Sequence, residues 1–466
     1  MISIDRTAGR RPARAAAESG PAPSASRLGW LDALRGIAAL SVAVYHLALP
    51  FYWVPYGTRV PHYLDPGVFG VLLFFLVSGY IIPASLERRG DMRAFWVGRV
   101  FRIYPAVILT VVAALLILPR DHTVVAGYAF DHPLLSLVAN GLMLQDLIGV
   151  TNGLGVLWTL TYEMVFYYFV TALFALGWHR KSAGIAVGFA AVALVLGGWI
   201  ALGTLSVDHA STRHLVLASA TIVVMAMACI MTGKPALAKG GGLLLGGLGL
   251  VLVTLNSRSA AFETMMIFAT MFAGTVLYRW EHGQIERAQA FLSCGFVVAC
   301  GFLTGYMYNH GEALGRTFTG SWMAWSFAYV GAWAVFVAGM LLRKRRFPRW
   351  LSWLGAISYS LYLLHNPVIR AMDWTLEGRA PIESWAGRAL LFTAFMAALT
   401  GVSWLSYRLV ELPFQNLGRS VLKAVARRFP QRAPVPAQDG TGTPPAGATA
   451  PAAPVRETEP VLSTRE

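Results

Sequence analysis

The chain has 466 residues, 56% of them hydrophobic and 13% charged, with a mean hydropathy of +0.55. That balance excludes a solvated domain and places most of the chain in lipid. A net charge of +15 does not point to nucleic acid, because the basic residues sit in short loops and tails beside apolar runs rather than along one soluble face. Cys229, Cys294 and Cys300 lie in apolar stretches without a CxxC pair, so neither a disulfide framework nor a thiolate metal centre is expected.

Residues 1–27, rich in Ala, Pro, Ser and Arg, read as a disordered basic tail. Residues 28–415 read as one integral-membrane domain and 416–466 as a cytoplasmic Pro/Ala-rich tail. A window of about 19 residues marks candidate spans near 30–49, 67–86, 102–118, 156–177, 183–203, 214–232, 241–255, 261–278, 289–308, 319–341, 351–371 and 387–409. The seventh and eighth are short, so the expected fold is all-α, a polytopic transmembrane helix bundle of about 10–12 spans. The first apolar run carries Arg35 and His46 and is followed by many more spans, so it reads as a retained helix rather than a signal peptide. Between the third and fourth spans, Pro133 to Val150 is apolar but interrupted by Asn140, Gln145 and Asp146, which fits an interfacial or re-entrant helix.

Orientation follows from the loops. Arg6, Arg10, Arg11, Arg14 and Arg27 precede the first span, and Arg88, Arg89, Arg93 and Arg99 follow the second. Alternate loops repeat the bias, from His179-Arg180-Lys181 to Arg343-Lys344-Arg345-Arg346 and finally Lys423, Arg427 and Arg428. By the positive-inside rule these loops and both termini are cytoplasmic.

Three spans bury ionisable groups. Arg35 and His46 are eleven residues apart on the first, Glu163 lies in Leu157-Trp-Thr-Leu-Thr-Tyr-Glu163, and His365 follows Tyr359 in Ile357-Ser-Tyr-Ser-Leu-Tyr-Leu-Leu-His365. At about 1.5 Å per residue, His46 and His365 lie ~24 and ~21 Å from the inner ends of their helices, and Glu163 ~10 Å below the outer end of a descending one. In a core of about 30 Å these depths converge on one layer. Two histidines and a carboxylate at one depth suit proton transfer, with the carboxylate orienting an imidazole base. Hydrogen bonds across a packed bundle, a proton relay in a transporter, or snorkelling of Arg35 would use the same residues.

At the inner face Arg99 and Arg102, with Arg35, form a cationic patch suited to phosphates, although any cytoplasmic loop is basic. Trp158 is an interface anchor or a platform for a sugar ring. With it, Tyr162, Tyr359 and His365 are candidate substrate contacts. No histidine has an aspartate five residues after it, and the Gly-rich run at 240–248 lacks the Lys-Ser/Thr of a phosphate loop.

Six segments carry a resemblance, in order along residues 28–415: LDALRGIAALSVAVYH with Arg35 and His46, FFLVSGYII, GRVFRIYP with Arg102, LWTLTYEMVFYY with Glu163, GAISYSLYLLHNPV with His365, and VELPF. The chain resembles the acyltransferase type 3 family of bacterial membrane proteins, which acylate lipopolysaccharide, exopolysaccharide, peptidoglycan and macrolide sugars. The resemblance implies an acyl-CoA donor, such as acetyl-CoA, on the cytoplasmic side of the inner membrane, and a carbohydrate or glycoside acceptor. It also implies Arg35 and His46 as the essential pair, with Arg102 and Glu163 at positions linked to activity. Gly98 departs from the pattern, since the family often has a second arginine beside the first there. The rival expectation is a proton-coupled permease or exporter of a lipid-linked or small glycoside, and a purely structural envelope partner is a third.

Overall fold

A hydrocarbon environment leaves only helices able to satisfy every backbone N–H and C=O internally, and helices are what the chain forms. The computed structural model describes residues 29–51, 63–120, 122–123, 125, 127–379, 382 and 384–428. Among these, twelve long helices follow the candidate spans: α1 Gly29–Phe51, α2 Pro66–Arg89, α3 Met92–Ile117, α4 Trp158–Leu176, α5 Ser182–Leu196, α6 His209–Met231, α7 Pro235–Leu255, α8 Ala261–Glu281, α9 Arg287–Tyr308, α10 Trp322–Leu341, α11 Arg349–Leu376 and α12 Trp385–Ser406. No strand occurs among the described residues. Ten of the twelve are long and apolar enough to cross a membrane, and the protein is a multi-pass membrane protein. The other two, α1 and α11, pack on each other and carry both candidate histidines. The expected N-terminal tail, with Arg6, Arg10, Arg11, Arg14 and Arg27, and residues 429–466 of the expected C-terminal one lie outside the described residues.

After α12 a π-turn, Tyr407–Glu411, leads into a thirteenth helix, α13 Leu412–Arg428. Helix therefore continues past residue 415, where the sequence reading starts the tail. Pro413 cannot donate to the carbonyl four residues back, and the Leu412 N–H reaches five residues back to Tyr407 instead.

The joint between α2 and α3 shows how the punctuation works. Asp65 caps α2 by accepting from Val68 N–H at 2.8 Å, with Pro66 in the first turn, where its missing N–H is not needed. The helix stops at Gly90, whose φ of 65° favours glycine, and Asp91 caps α3 at once. Arg88 and Arg89 in the last turn of α2 complement its dipole.

Helix α8, short on paper, lies almost wholly inside the bundle between α2 and α5. Its Glu263, Thr264, Thr270 and Thr275 are buried in protein rather than lipid, which is why its hydropathy is modest. It meets α2 through glycines, and Thr275 Oγ1 donates to the Gly79 carbonyl at 2.8 Å. Basic loops expected on one side are tied together: Arg279 pairs with Glu87 and donates to the His179 carbonyl, and Arg343 pairs with Glu281 at 2.6 Å.

The interrupted segment after α3 is not one long interfacial helix. Its helix, Pro133–Gly141, ends where Asn140 turns its amide onto the Ser136 and Thr151 carbonyls and accepts from Gly153 N–H. Residues 142–150 then fold as buried turns, held by Gln145 on Asn152 and by Asn256 Nδ2 on the Leu147 carbonyl at 2.6 Å. Of the polar residues that interrupt the apolar run, Asn140 ends the helix, and Gln145 and Asp146 hold the turns that follow through Asn152.

Candidate active site

Helices α1 and α11 approach through two glycines. A Cβ on Gly355 would lie 2.0 Å from the Asp32 carbonyl oxygen, and one on Gly36 would lie 3.0 Å from Leu354 Cβ. Ten residues beyond each glycine, about 15 Å along each helix, stand His46 and His365. Their Nδ1 and Nε2 are 3.0 Å apart and their rings stack at 13°.

The tautomers follow from what His365 touches. Its Nδ1 lies 2.6 Å from the Tyr362 carbonyl, which only accepts, so Nδ1 carries the hydrogen. A neutral His365 then offers a bare Nε2, and His46 must donate from Nδ1. Nε2 of His46 is left unprotonated, which is the state of a base. His365 is fully buried and His46 half-buried, so the outer member of the pair is the accessible one.

Near this pair lies a cavity of about 80 Å³, bounded by α1, α2, α3, α4 and α11. Arg35, Arg102, Glu163 and Tyr359 supply its polar lining, and Val71, Phe74, Phe75, Ile103 and Leu160 its apolar walls. Tyr362 is shared: its ring packs on Phe74 in the cavity wall and lies 5.8 Å from His365. Its hydroxyl is held 2.9 Å from Thr159 Oγ1 and 3.2 Å from the Val156 carbonyl.

Charge in this region is balanced. Arg35 feels Asp32, Glu411 and Glu163, Arg102 faces Asp32 and Glu411, and Arg99 faces Glu163. Three guanidiniums thus stand beside three carboxylates, where an unmatched charge away from water would be costly.

A family model described as an acyltransferase domain matches residues 28–408 of this chain. The chain belongs to the acyltransferase type 3 family. It is 24% identical over 413 residues to the O-acetyltransferase OatA of Staphylococcus aureus, a match covering 84% of this chain and 58% of OatA. It thus spans a little over half of that relative's length. It is 34% identical over 146 residues to nodulation protein 10 of Rhizobium leguminosarum bv. viciae, covering 28% of this chain and 39% of the relative. A third relative, acyltransferase MdmB of Streptomyces mycarofaciens, is 31% identical over 151 residues, covering 31% and 38%. No solved structure matches the chain.

In this type 3 acyltransferase the expected site residues separate into groups. Arg35, Arg102, Glu163 and Tyr359 meet in the cavity, and His46 meets His365. The Glu163 carboxylate accepts from Tyr167, four residues on along α4, and the group that meets His46 is His365. His365 is fully buried, with the Tyr362 ring 5.8 Å away. Arg99 does not line the cavity. Its guanidinium stacks 5.1 Å from the rings of both Phe95 and Tyr167 and donates to Ser85 at 3.1 Å.

Trp158 and Tyr162 are also absent from the cavity lining. Trp158 stacks at 4.3 Å on Phe318 from the loop before α10, and Tyr162 is fully buried with its hydroxyl on Ser259 and Thr264. Sequence reasoning missed Glu411, buried in the π-turn, where it accepts from Ser360 and faces Arg102 and Arg35. An acidic residue two positions before a proline at the end of an apolar span was its available signal. Among the described residues no group of three or more His, Cys, Asp or Glu could hold a metal ion.

Proposed function

We propose that this protein is an O-acyltransferase of the bacterial inner membrane, with both termini cytoplasmic. It moves an acetyl or other short acyl group from acyl-CoA to a hydroxyl of a carbohydrate or glycoside. The observation that carries this reading is the His46–His365 pair, whose tautomers leave a bare Nε2 on the half-buried ring, with Tyr362 between His365 and a cavity that holds two guanidiniums. The similarity to the O-acetyltransferase OatA and the acyltransferase MdmB supports acyl transfer, the former specifically to oxygen.

The donor's phosphates sit at the Arg35 and Arg102 end, where planar cationic forks bind phosphate oxygens. Its apolar arm runs along Phe74, Phe75 and Leu160 toward the histidines. His46 Nε2 takes the proton of the acceptor hydroxyl as that oxygen attacks the thioester carbonyl. The C–S bond then breaks, and the departing thiolate recovers the proton from the imidazolium, leaving ester, thiol and neutral histidine. His365 acts by keeping the hydrogen of His46 on Nδ1. Glu163 balances the arginines and, through Tyr167, steadies α4.

Membranes holding the protein, supplied with radiolabelled acetyl-CoA and candidate glycans, are expected to transfer label to glycan, whereas a proton-coupled permease transfers none. An Arg102→Gln variant is expected to raise the KM for acyl-CoA about 10–150-fold, since a hydrogen bond to a charged group is worth about 1.5–3 kcal/mol. An unchanged donor KM would remove Arg102 from donor binding.

A further inference from the structure

The run from α12 through the π-turn to residue 425 is 41 residues of continuous helix. At about 1.5 Å per residue that is ~60 Å, twice a hydrocarbon core of about 30 Å. One end therefore lies outside the hydrocarbon, and the composition says it is α13. On its wheel Gly418, Val421, Leu422 and Val425 fall on one arc. Gly418 is buried against α3, where a Cβ would meet that of Phe101 at 2.8 Å.

Phe414 falls on the same arc and Leu417 and Ala424 on the neighbouring one, all three exposed, and the opposite arc presents exposed Arg419, Lys423 and Arg427 at four-residue spacing. Phe414 and Leu417 lie within a turn of Gly418, at the level where α3 enters the bundle. An apolar flank with a basic edge at that level is the pattern of a helix lying in the headgroup zone. Charge complementarity points to anionic phospholipid, because juxtamembrane lysines and arginines are drawn to acidic headgroups. The helix also begins one residue after Glu411, the carboxylate that Ser360 holds beside Arg102 and Arg35.

We propose that α13 docks on anionic phospholipid through Arg419, Lys423 and Arg427, with Phe414 and Leu417 sunk between the headgroups, and that this docking holds the π-turn so that Glu411 stays against Ser360. Lipid charge thereby tunes donor binding at the arginine pair. The docking stands apart from the acyl-transfer reading; only its effect on donor binding rests on it.

The test uses the full chain in nanodiscs of phosphatidylcholine, with or without phosphatidylglycerol. Hydrogen exchange across 407–428 reads docking without any need for activity. Exchange is expected to be slower with phosphatidylglycerol. Arg419→Gln, Lys423→Gln and Arg427→Gln together should abolish that difference, on the order of 100-fold if each basic side chain contributes roughly fivefold. Phe414→Ser with Leu417→Ser should speed exchange in both lipids. Equal exchange in the two lipids for the unaltered chain, or a lipid effect that survives the triple replacement, overturns the docking. A slower exchange in phosphatidylglycerol without a lower donor KM overturns the coupling alone, and absence of label transfer in every lipid bears on the acyl-transfer reading instead.

Discussion

Replacing His46 with alanine is expected to lower acyl transfer by about 10²–10⁴-fold, the range that a positioned general base contributes, while the protein still inserts and accumulates. The imidazole is half-buried and bonds the His365 side chain rather than a glycine seam, so its loss leaves the helix seams untouched. His365→Phe tests the orienting role. It keeps a ring stacked against His46 but removes the acceptor that holds the hydrogen on Nδ1, so the basic nitrogen no longer faces the acceptor in every molecule. kcat is expected to fall while the donor KM stays constant, and a merely structural His365 would instead lower the amount of folded protein. Label transfer from acetyl-CoA, normalised to protein in the membrane, measures both variants. Wild-type turnover in His46→Ala would end the assignment of the base.

Gly79→Val is expected to prevent assembly of the bundle. A Cβ at this position would sit 1.8 Å from the Met271 carbonyl oxygen, and one on Gly274 across the seam 2.5 Å from the Leu76 carbonyl. These are backbone atoms on a helix enclosed on every side, so no rotamer change relieves the clash and α2 must move from α8. Overpacking of a well-packed core costs about 1–3 kcal/mol when side chains can yield, and here the cost lies above that range. Separation also breaks the 2.8 Å hydrogen bond from Thr275 to the Gly79 carbonyl. Monodisperse protein recovered in detergent is the measurement. Yield and melting temperature equal to wild type would show that the two helices are not seated on each other as described.

The bundle was legible because lipid imposes one strict demand, some twenty apolar residues per crossing. That demand found all twelve long helices, and it served worst at α8, which faces protein and carries a glutamate and threonines. Depth arithmetic placed His46 and His365 in one layer, and they touch. Depth along an axis says nothing of direction around it, so it did not show that the Glu163 carboxylate turns to Tyr167 and the arginines. The neighbours of Trp158 and Tyr162 were not legible, because what covers them, Phe318, Ser259 and Thr264, comes from remote parts of the chain. The equal spacing from Gly36 to His46 and from Gly355 to His365 is visible in the sequence. It gains meaning only once the two helices are known to be parallel neighbours.

The two histidines are 319 positions apart. At about 5–20 residues per second of synthesis, roughly 15–60 seconds separate the emergence of the first from that of the second. Throughout that interval a growing chain has its base without the acceptor that aims it, and lacks the helix that walls one side of the cavity. On the proposed mechanism, a chain cut short before α11 lacks both the hydrogen-bond partner of His46 and one wall of the cavity, and is expected to transfer no acyl group.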